Sequence, residues 1–185
     1  KVVIHFDGSC GPTNPGWVAR GGWVVRRADG KTQKGSQEIC RGKGATNNVA
    51  EWGALELALI WLSTARRGPL TSLEIYGDSD LVIRQLCRQW RCKKPNLQAY
   101  RDRCWGLLKA LGVPWRAKWI PREQNTEADA QSVLGGQPRN PWAARRDDSP
   151  EGRLAAHKVA YQRFLDLAAE ERDNIDHLNA IAKED

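Results

Sequence analysis

Four carboxylates stand where an otherwise apolar chain turns polar: Asp7, Glu51, Asp78 and Asp129. Asp7 closes the run Val2-Val3-Ile4-His5-Phe6, and Asp78 closes Leu73-Glu74-Ile75-Tyr76-Gly77. Glu51 falls one turn into a long amphipathic stretch, and Asp129 lies on a short polar-to-apolar stretch near residue 130. Strand ends and helix starts can meet at one rim of a sheet, so these groups can converge although far apart in sequence. Gathered carboxylates repel one another unless divalent cations lie among them. On a basic chain, such a cluster points to metal-dependent phosphodiester chemistry. Each group also has a plainer explanation: a turn start for Asp7, a capping box of Asn48 with Glu51, a helix cap for Asp78 and a solvated helix face for Asp129.

The elements that must position these groups are readable from hydrophobic periodicity. Val2–Phe6 predicts a strand ending in the turn signal Asp7-Gly8-Ser9. Val18–Arg26 and Thr32–Cys40 predict a hairpin around Asp29-Gly30. From Asn48 to Arg67 the period becomes helical, with Trp52, Leu55, Leu59 and Leu62 on one face and Gly68-Pro69 as the stop. A strand at Leu73–Tyr76, helices over Asp80–Gln89 and Leu97–Leu111, a strand at Trp115–Ile120 and a helix over Thr126–Leu134 complete the order. That order predicts an α/β fold with a five-stranded mixed sheet, three strands antiparallel and then two parallel, flanked by helices. Gly135-Gly136 marks a boundary between residues 1–135 and 136–185. The latter reads as a linker and a helical C-terminal extension, with Phe164, Ala168, Ile175, Leu178 and Ala182 at seam-like spacing.

The net charge of +7 is unevenly spread. Residues 1–135 carry 21 Lys and Arg against 12 Asp and Glu, whereas 136–185 carry 8 against 10. The positive field therefore belongs to the part holding the carboxylates, as expected for a polyanionic partner. Five cysteines at 10, 40, 87, 92 and 104 form no disulfide framework, and Cys87 with Cys92 lacks a second close pair for zinc. Reduced thiols are expected, and with them a cytoplasmic location. No apolar stretch has membrane-spanning length, and Lys1 leads into a strand rather than a signal peptide. Without a single Met, the sequence is expected to have lost its native start.

Four segments occur in a telling order: Asp7-Gly8-Ser9-Cys10 with Asn14-Pro15-Gly16, Thr46-Asn47-Asn48-Val49-Ala50-Glu51, Gly77-Asp78-Ser79, and Asn125-Thr126-Glu127-Ala128-Asp129. Together they resemble type 1 ribonuclease H (ribonuclease HI) of the prokaryotic kind, over residues 1–135. The resemblance implies a ribonuclease H-like fold and metal-dependent endonucleolytic cleavage of the RNA strand in RNA/DNA hybrids, leaving 5′-phosphate and 3′-hydroxyl ends. It implies two Mg²⁺ ions, with Mn²⁺ as a substitute. Asp7 would bridge both, Glu51 and Asp78 would hold the water-polarising side, and Asp129 would bind the second ion. Gly8, Ser9, Cys10, Asn14, Thr46, Asn47 and Asn48 would contact the hybrid, the Asn side chains offering both donors and acceptors to the minor groove.

Residues 84–103 hold Arg84, Arg88, Arg91, Lys93, Lys94, Arg101 and Arg103 around Trp90, with Asn96 nearby. This segment resembles the family's basic handle, which implies a grip on the DNA strand through Trp90, Lys93, Lys94 and Asn96. Most of the nine tryptophans are expected at core positions of strands and helices. Many family members carry a mobile His ahead of the last carboxylate; here the loop has none, and Glu123 is the auxiliary candidate. His5, on the Asp7 face of its strand by alternation, is expected to be structural. The extension is a candidate partner-docking or self-association element. Two rival readings remain: a related fold cutting DNA or double-stranded RNA, and a hybrid-binding module without catalysis.

Overall fold

Three β-rich runs separated by turn residues form the antiparallel half of the sheet: β1 (Val2–Gly11), β2 (Val18–Arg27) and β3 (Thr32–Arg41). The structure is a computed structural model and describes residues 1–12, 14–64 and 70–133. The Gly68-Pro69 stop and the expected linker and helices of 136–185 lie outside the described residues. At the β2–β3 turn, Gly30 adopts a φ of +80° and the Lys31 N–H donates to Asp29 Oδ1 at 3.1 Å. Gly is the residue that takes this left-handed turn conformation without a steric penalty.

Helix α1 (Asn47–Thr64) begins where Thr46 Oγ1 accepts the Val49 N–H at 3.2 Å. Thr46 therefore supplies the cap, and Glu51 is free of the capping-box role that its spacing from Asn48 allowed. Strand β4 (Leu73–Gly77), helix α2 (Asp80–Leu86), helix α3 (Pro95–Leu111), strand β5 (Trp115–Trp119) and helix α4 (Thr126–Val133) follow. Strand order is β3-β2-β1-β4-β5, with β4 parallel to both β1 and β5. The expected mixed sheet is borne out, three antiparallel strands and then two parallel ones.

β1 is longer than its apolar run. Its antiparallel pairing with β2 continues through Asp7–Gly22 and Gly8–Gly21 to Gly11–Val18, whereas its parallel pairing with β4 ends at Phe6–Gly77. Asp7 is thus not a turn residue but the first strand residue beyond the end of β4, level with the point where the chain delivers Asp78. Helix α2 stops at Leu86 rather than Gln89. Arg88 takes a left-handed φ of 61°, and the Arg84 carbonyl accepts the N–H groups of Gln89 and Trp90.

Glycines set how closely helices approach this sheet. A Cβ on Gly8 would lie 2.1 Å from the Glu51 nitrogen, so α1 rests directly on the β1 backbone at the residue that carries the carboxylate. On the opposite face, a Cβ on Gly22 would lie 2.2 Å from the Ser132 nitrogen, so α4 rests on β2 in the same way. Trp52, Phe6, Ile4, Leu55, Leu59 and Ile75 are fully buried among the elements so joined. The buried Glu56 of α1 is held by Arg103 of α3, with Arg103 Nη2 donating to Oε2 at 3.0 Å.

Two tryptophans depart from expectation. Trp23 and Trp52 are buried and Trp90 is 47% exposed in the basic segment, but Trp17 and Trp119 are also 54% and 45% exposed. Trp119 ends the edge strand β5, and Trp17 lies in the loop before β2, so neither has a packed layer on its outer side. All five cysteines are free, and no helix among the described residues is long and apolar enough to cross a membrane.

Candidate active site

Asp7, Glu51 and Asp78 come together where β4 ends and β1 continues. One carboxylate oxygen from each lies within 4.8 Å of the other two. Asp7 and Glu51 are buried and Asp78 is half-buried. Each arrives on a different element: Asp7 within β1, Glu51 one turn into α1 against Gly8, and Asp78 immediately after β4. Ser79, not Asp78, caps α2, its Oγ accepting the Val82 N–H at 3.4 Å. The third carboxylate is thereby left for the cluster.

The electrostatics are those of a site short of positive charge. Burial first, then the charges of Asp78 and Asp129, raises the Asp7 pKa from 3.8 to about 6; a hydrogen bond from Ser132 and the charge of Arg122 act the other way. Glu51 is pushed up as well, by burial and by Asp7 and Asp78, against a hydrogen bond from the Gly8 main chain. Its Oε2 is buried and has no hydrogen-bond partner. A buried carboxylate oxygen without a donor is costly. Hard divalent cations with oxygen ligands fit this donor set, which offers carboxylates from three backbone positions and no sulfur or imidazole. Asp7, Glu51 and Asp78 are the residues that could hold such an ion, with Asp129 at the margin.

Asp129 lies on the first turn of α4, close enough to act on Asp7 but outside the tight trio. Arg122 Nη2 donates to its Oδ1, and the charge of Asp129 raises the Arg122 pKa further. Glu123 lies in the same short 3-10 turn, is exposed and makes no contact with the carboxylates among those described. The charged side chain of this loop that reaches the site is Arg122.

Three supporting residues escaped the sequence reading. Asn125, only 1% exposed, donates from Nδ2 to the Phe6 carbonyl at 2.9 Å and to Asp78 Oδ1 at 2.7 Å, tying β1 to the third carboxylate. Trp119 Nε1 donates to the Asp78 carbonyl at 2.9 Å. Ser132 accepts at its carbonyl from Ser9 Oγ at 2.9 Å, and the Ser36 hydroxyl donates to the Gln131 carbonyl at 2.6 Å, so α4 is pinned to β1 and β3. Glu127 adds ion pairs to Arg26 and to Lys34, the latter at 2.5 Å. The one available signal was Asn125 itself, which lies within the quoted motif next to the α4 start.

The other predicted contacts fall in two places. Gly8, Ser9 and Cys10 continue β1 past Asp7. Asn14 Oδ1 accepts the Asn47 N–H at 3.2 Å, joining the loop before β2 to the start of α1 beside Thr46 and Asn48. Trp90, Lys93, Lys94 and Asn96 are exposed in and beside the turn between α2 and α3. There Arg84 stacks over Trp90 at 5.1 Å, and Arg88 and Arg101 stack on Trp105 at 4.5 and 4.7 Å.

Residues 5–133 match the family model described as reverse transcriptase-like. The chain is 37% identical over 131 residues to ribonuclease HI of Halobacterium salinarum, a match covering 70% of this chain and 61% of that protein. It thus spans about three fifths of that relative's length. The crystal structure of RNase H1 from Halobacterium salinarum NRC-1 is 36% identical, with a TM-score of 0.61, over 72% of this chain and 97% of that one. LC11-RNase H1, solved in complex with an RNA/DNA hybrid, is 29% identical with a TM-score of 0.64, over 73% and 96%.

Proposed function

We propose that this chain, which belongs to the type 1 ribonuclease H family, is a metal-dependent endonuclease that hydrolyses the RNA strand of RNA/DNA hybrids to 5′-phosphate and 3′-hydroxyl ends. The observation that carries the reading is the largely buried trio Asp7, Glu51 and Asp78, gathered within 4.8 Å with both Asp7 and Glu51 pushed up in pKa despite the nearby charge of Arg122. A binding module would have no use for so costly a cluster. Bound divalent ions, Mg²⁺ by preference, would lower the pKa of the attacking water and offset charge on the leaving oxygen.

This chain's own residues supply position and polarity. Asp7, held in β1 by its pairing with Gly22 of β2 and lying one residue past the end of the β4 pairing, would be shared between two cation positions. Glu51 and Asp78 flank it on the side where Glu51 Oε2 lacks a donor. Asp129 would serve the second position, where a cation would compete with the Arg122 guanidinium for its carboxylate; a guanidinium so released would suit a substrate phosphate. Substrate selection falls to the β1 continuation at Gly8, Ser9 and Cys10, and to Asn14, Thr46, Asn47 and Asn48 around the joined loop and helix start. There main-chain groups and Asn side chains can donate to and accept from a ribose 2′-hydroxyl. The exposed cations and Trp90 between α2 and α3 suit the DNA strand, as phosphate contacts with one stacking surface. Residues 1–135 form the catalytic unit in this reading.

The test is a denaturing gel of end-labelled hybrid incubated with Mg²⁺, Mn²⁺ or chelator, beside double-stranded DNA and double-stranded RNA. The expected result is metal-dependent cutting of the RNA strand in the hybrid alone, lost in Asp7→Asn. Undiminished cutting by Asp7→Asn, or equal cutting of all three duplexes, overturns it.

A further inference from the structure

Asn125 is held on one side only. Its Nδ2 uses both protons, on the Phe6 carbonyl and on Asp78 Oδ1, while its Oδ1 is buried and accepts no hydrogen bond. Turning the amide over would set an oxygen against two acceptors, so the observed orientation is the productive one. Nothing described so far on the oxygen side enforces it.

The polar side chain that interacts with this amide from β1 is His5, one residue before the Phe6 carbonyl that Asn125 already grips. Its ring lies 5.2 Å from the Tyr76 ring, tilted by 34°, so the imidazole has a defined seat between the ends of β1 and β4. In any protonation state it carries at least one N–H.

We propose that His5 is a positioning residue: its ring N–H donates to Asn125 Oδ1 and locks the amide so that Nδ2 holds Asp78 with its second oxygen turned to the carboxylate trio. This rests on the reading of that trio as a cation site, and it gives His5 a part beyond packing. Asn125 is the partner one step behind the candidate ligand Asp78, and loss of such a partner typically weakens metal binding by about 10–100-fold; His5 acts through it, with an effect at the lower end of that range. His5 stands at the near end of a chain of contacts, from His5 to Asn125 to Asp78, that joins β1, the start of α4 and the end of β4.

Two substitutions in the full chain separate a lock from mere filling. His5→Phe keeps a ring beside Tyr76 and removes the donor; His5→Gln gives up the ring and keeps a donor. The first measurement is hydrogen exchange of the Asn125 side-chain amide by NMR in chelator. The second is Mn²⁺ binding by calorimetry. We expect exchange at least about tenfold faster and Mn²⁺ binding about tenfold weaker in His5→Phe, with His5→Gln within about threefold of the parent on both. Unchanged exchange in His5→Phe, or equal loss in both variants, overturns the lock. If the parent shows an Asn125 amide protected by His5 yet binds no Mn²⁺, the lock stands and the cation-site reading fails.

Discussion

Replacing Asp7 by Asn should stabilise the metal-free protein while abolishing cleavage, an opposition that follows from the raised pKa. Burial and neighbouring carboxylates lift Asp7 from 3.8 to about 6, so between those values the folded chain holds a proton that the unfolded chain has released. Stability must therefore fall as pH rises from about 4 to about 6 and stay low above it. At about 1.36 kcal/mol per pKa unit, the penalty at neutral pH is about 3 kcal/mol. Glu51, also pushed up by Asp7, takes part of any shared proton, so Asn should recover about 1–3 kcal/mol. For a domain of this size that is a melting shift of about 5–10 °C. The assay is thermal unfolding followed by circular dichroism in EDTA at pH 7.5 and pH 5, and again with Mg²⁺. The parent should melt higher at pH 5 than at pH 7.5 in EDTA and should gain from Mg²⁺; the variant should melt above the parent in EDTA at pH 7.5 and gain little. A variant that melts at or below the parent in EDTA, with the same Mg²⁺ response, would refute the argument that the cluster is under electrostatic strain.

Three further outcomes are expected. Gly8→Ala places a methyl 2.1 Å from the Glu51 nitrogen, a backbone atom that can yield only if α1 moves; a loss of at least about 1–3 kcal/mol in urea unfolding, with Mn²⁺ binding weakened alongside, is expected, and wild-type behaviour would show that α1 does not rest there. Arg122→Ala removes the guanidinium that a cation must displace from Asp129, so Mn²⁺ should bind about threefold more tightly by calorimetry; weaker binding would mean that Arg122 supports the site rather than guarding it. A chain ending at Gly135 should keep hybrid cleavage and a cooperative melt, since all four candidate-site carboxylates and the five strands of the described residues precede that point; loss of the melt would make the extension part of the fold.

The fold was legible because period and punctuation agree along residues 1–133. The alternation in β5, the Leu ridge of α1 and the Asp29-Gly30 turn each name one element only. What was not legible was the far end of β1. An apolar run marks where a strand is buried, and beyond Phe6 the chain reads as a turn, Asp7-Gly8-Ser9. It stays extended because β2 offers Gly22, Gly21 and Arg20 as partners, and pairing of that kind is a property of two strands rather than one. The tryptophans failed for a related reason. Trp119 alternates correctly for a strand, but only the sheet order shows that β5 is an edge strand among the described residues.

The site shows the same division at finer scale. Asp7, Glu51 and Asp78 could be named in advance because an acidic group beside apolar residues is conspicuous. Asn125, Trp119 and Arg122 could not, since a polar residue's role depends on which donor or acceptor it meets. Glu123 and Arg122 illustrate the point: adjacent in one short turn and both charged, they differ in that Arg122 alone meets a carboxylate. The loop's chemistry is therefore decided by which side of a 3-10 turn faces Asp129. A cation next to a site that itself awaits cations is a competitor as well as a neighbour. On the proposed reading, the Arg122–Asp129 pair would tie a second metal position to the state of that loop, and filling of the site would favour release of a guanidinium toward the incoming phosphate.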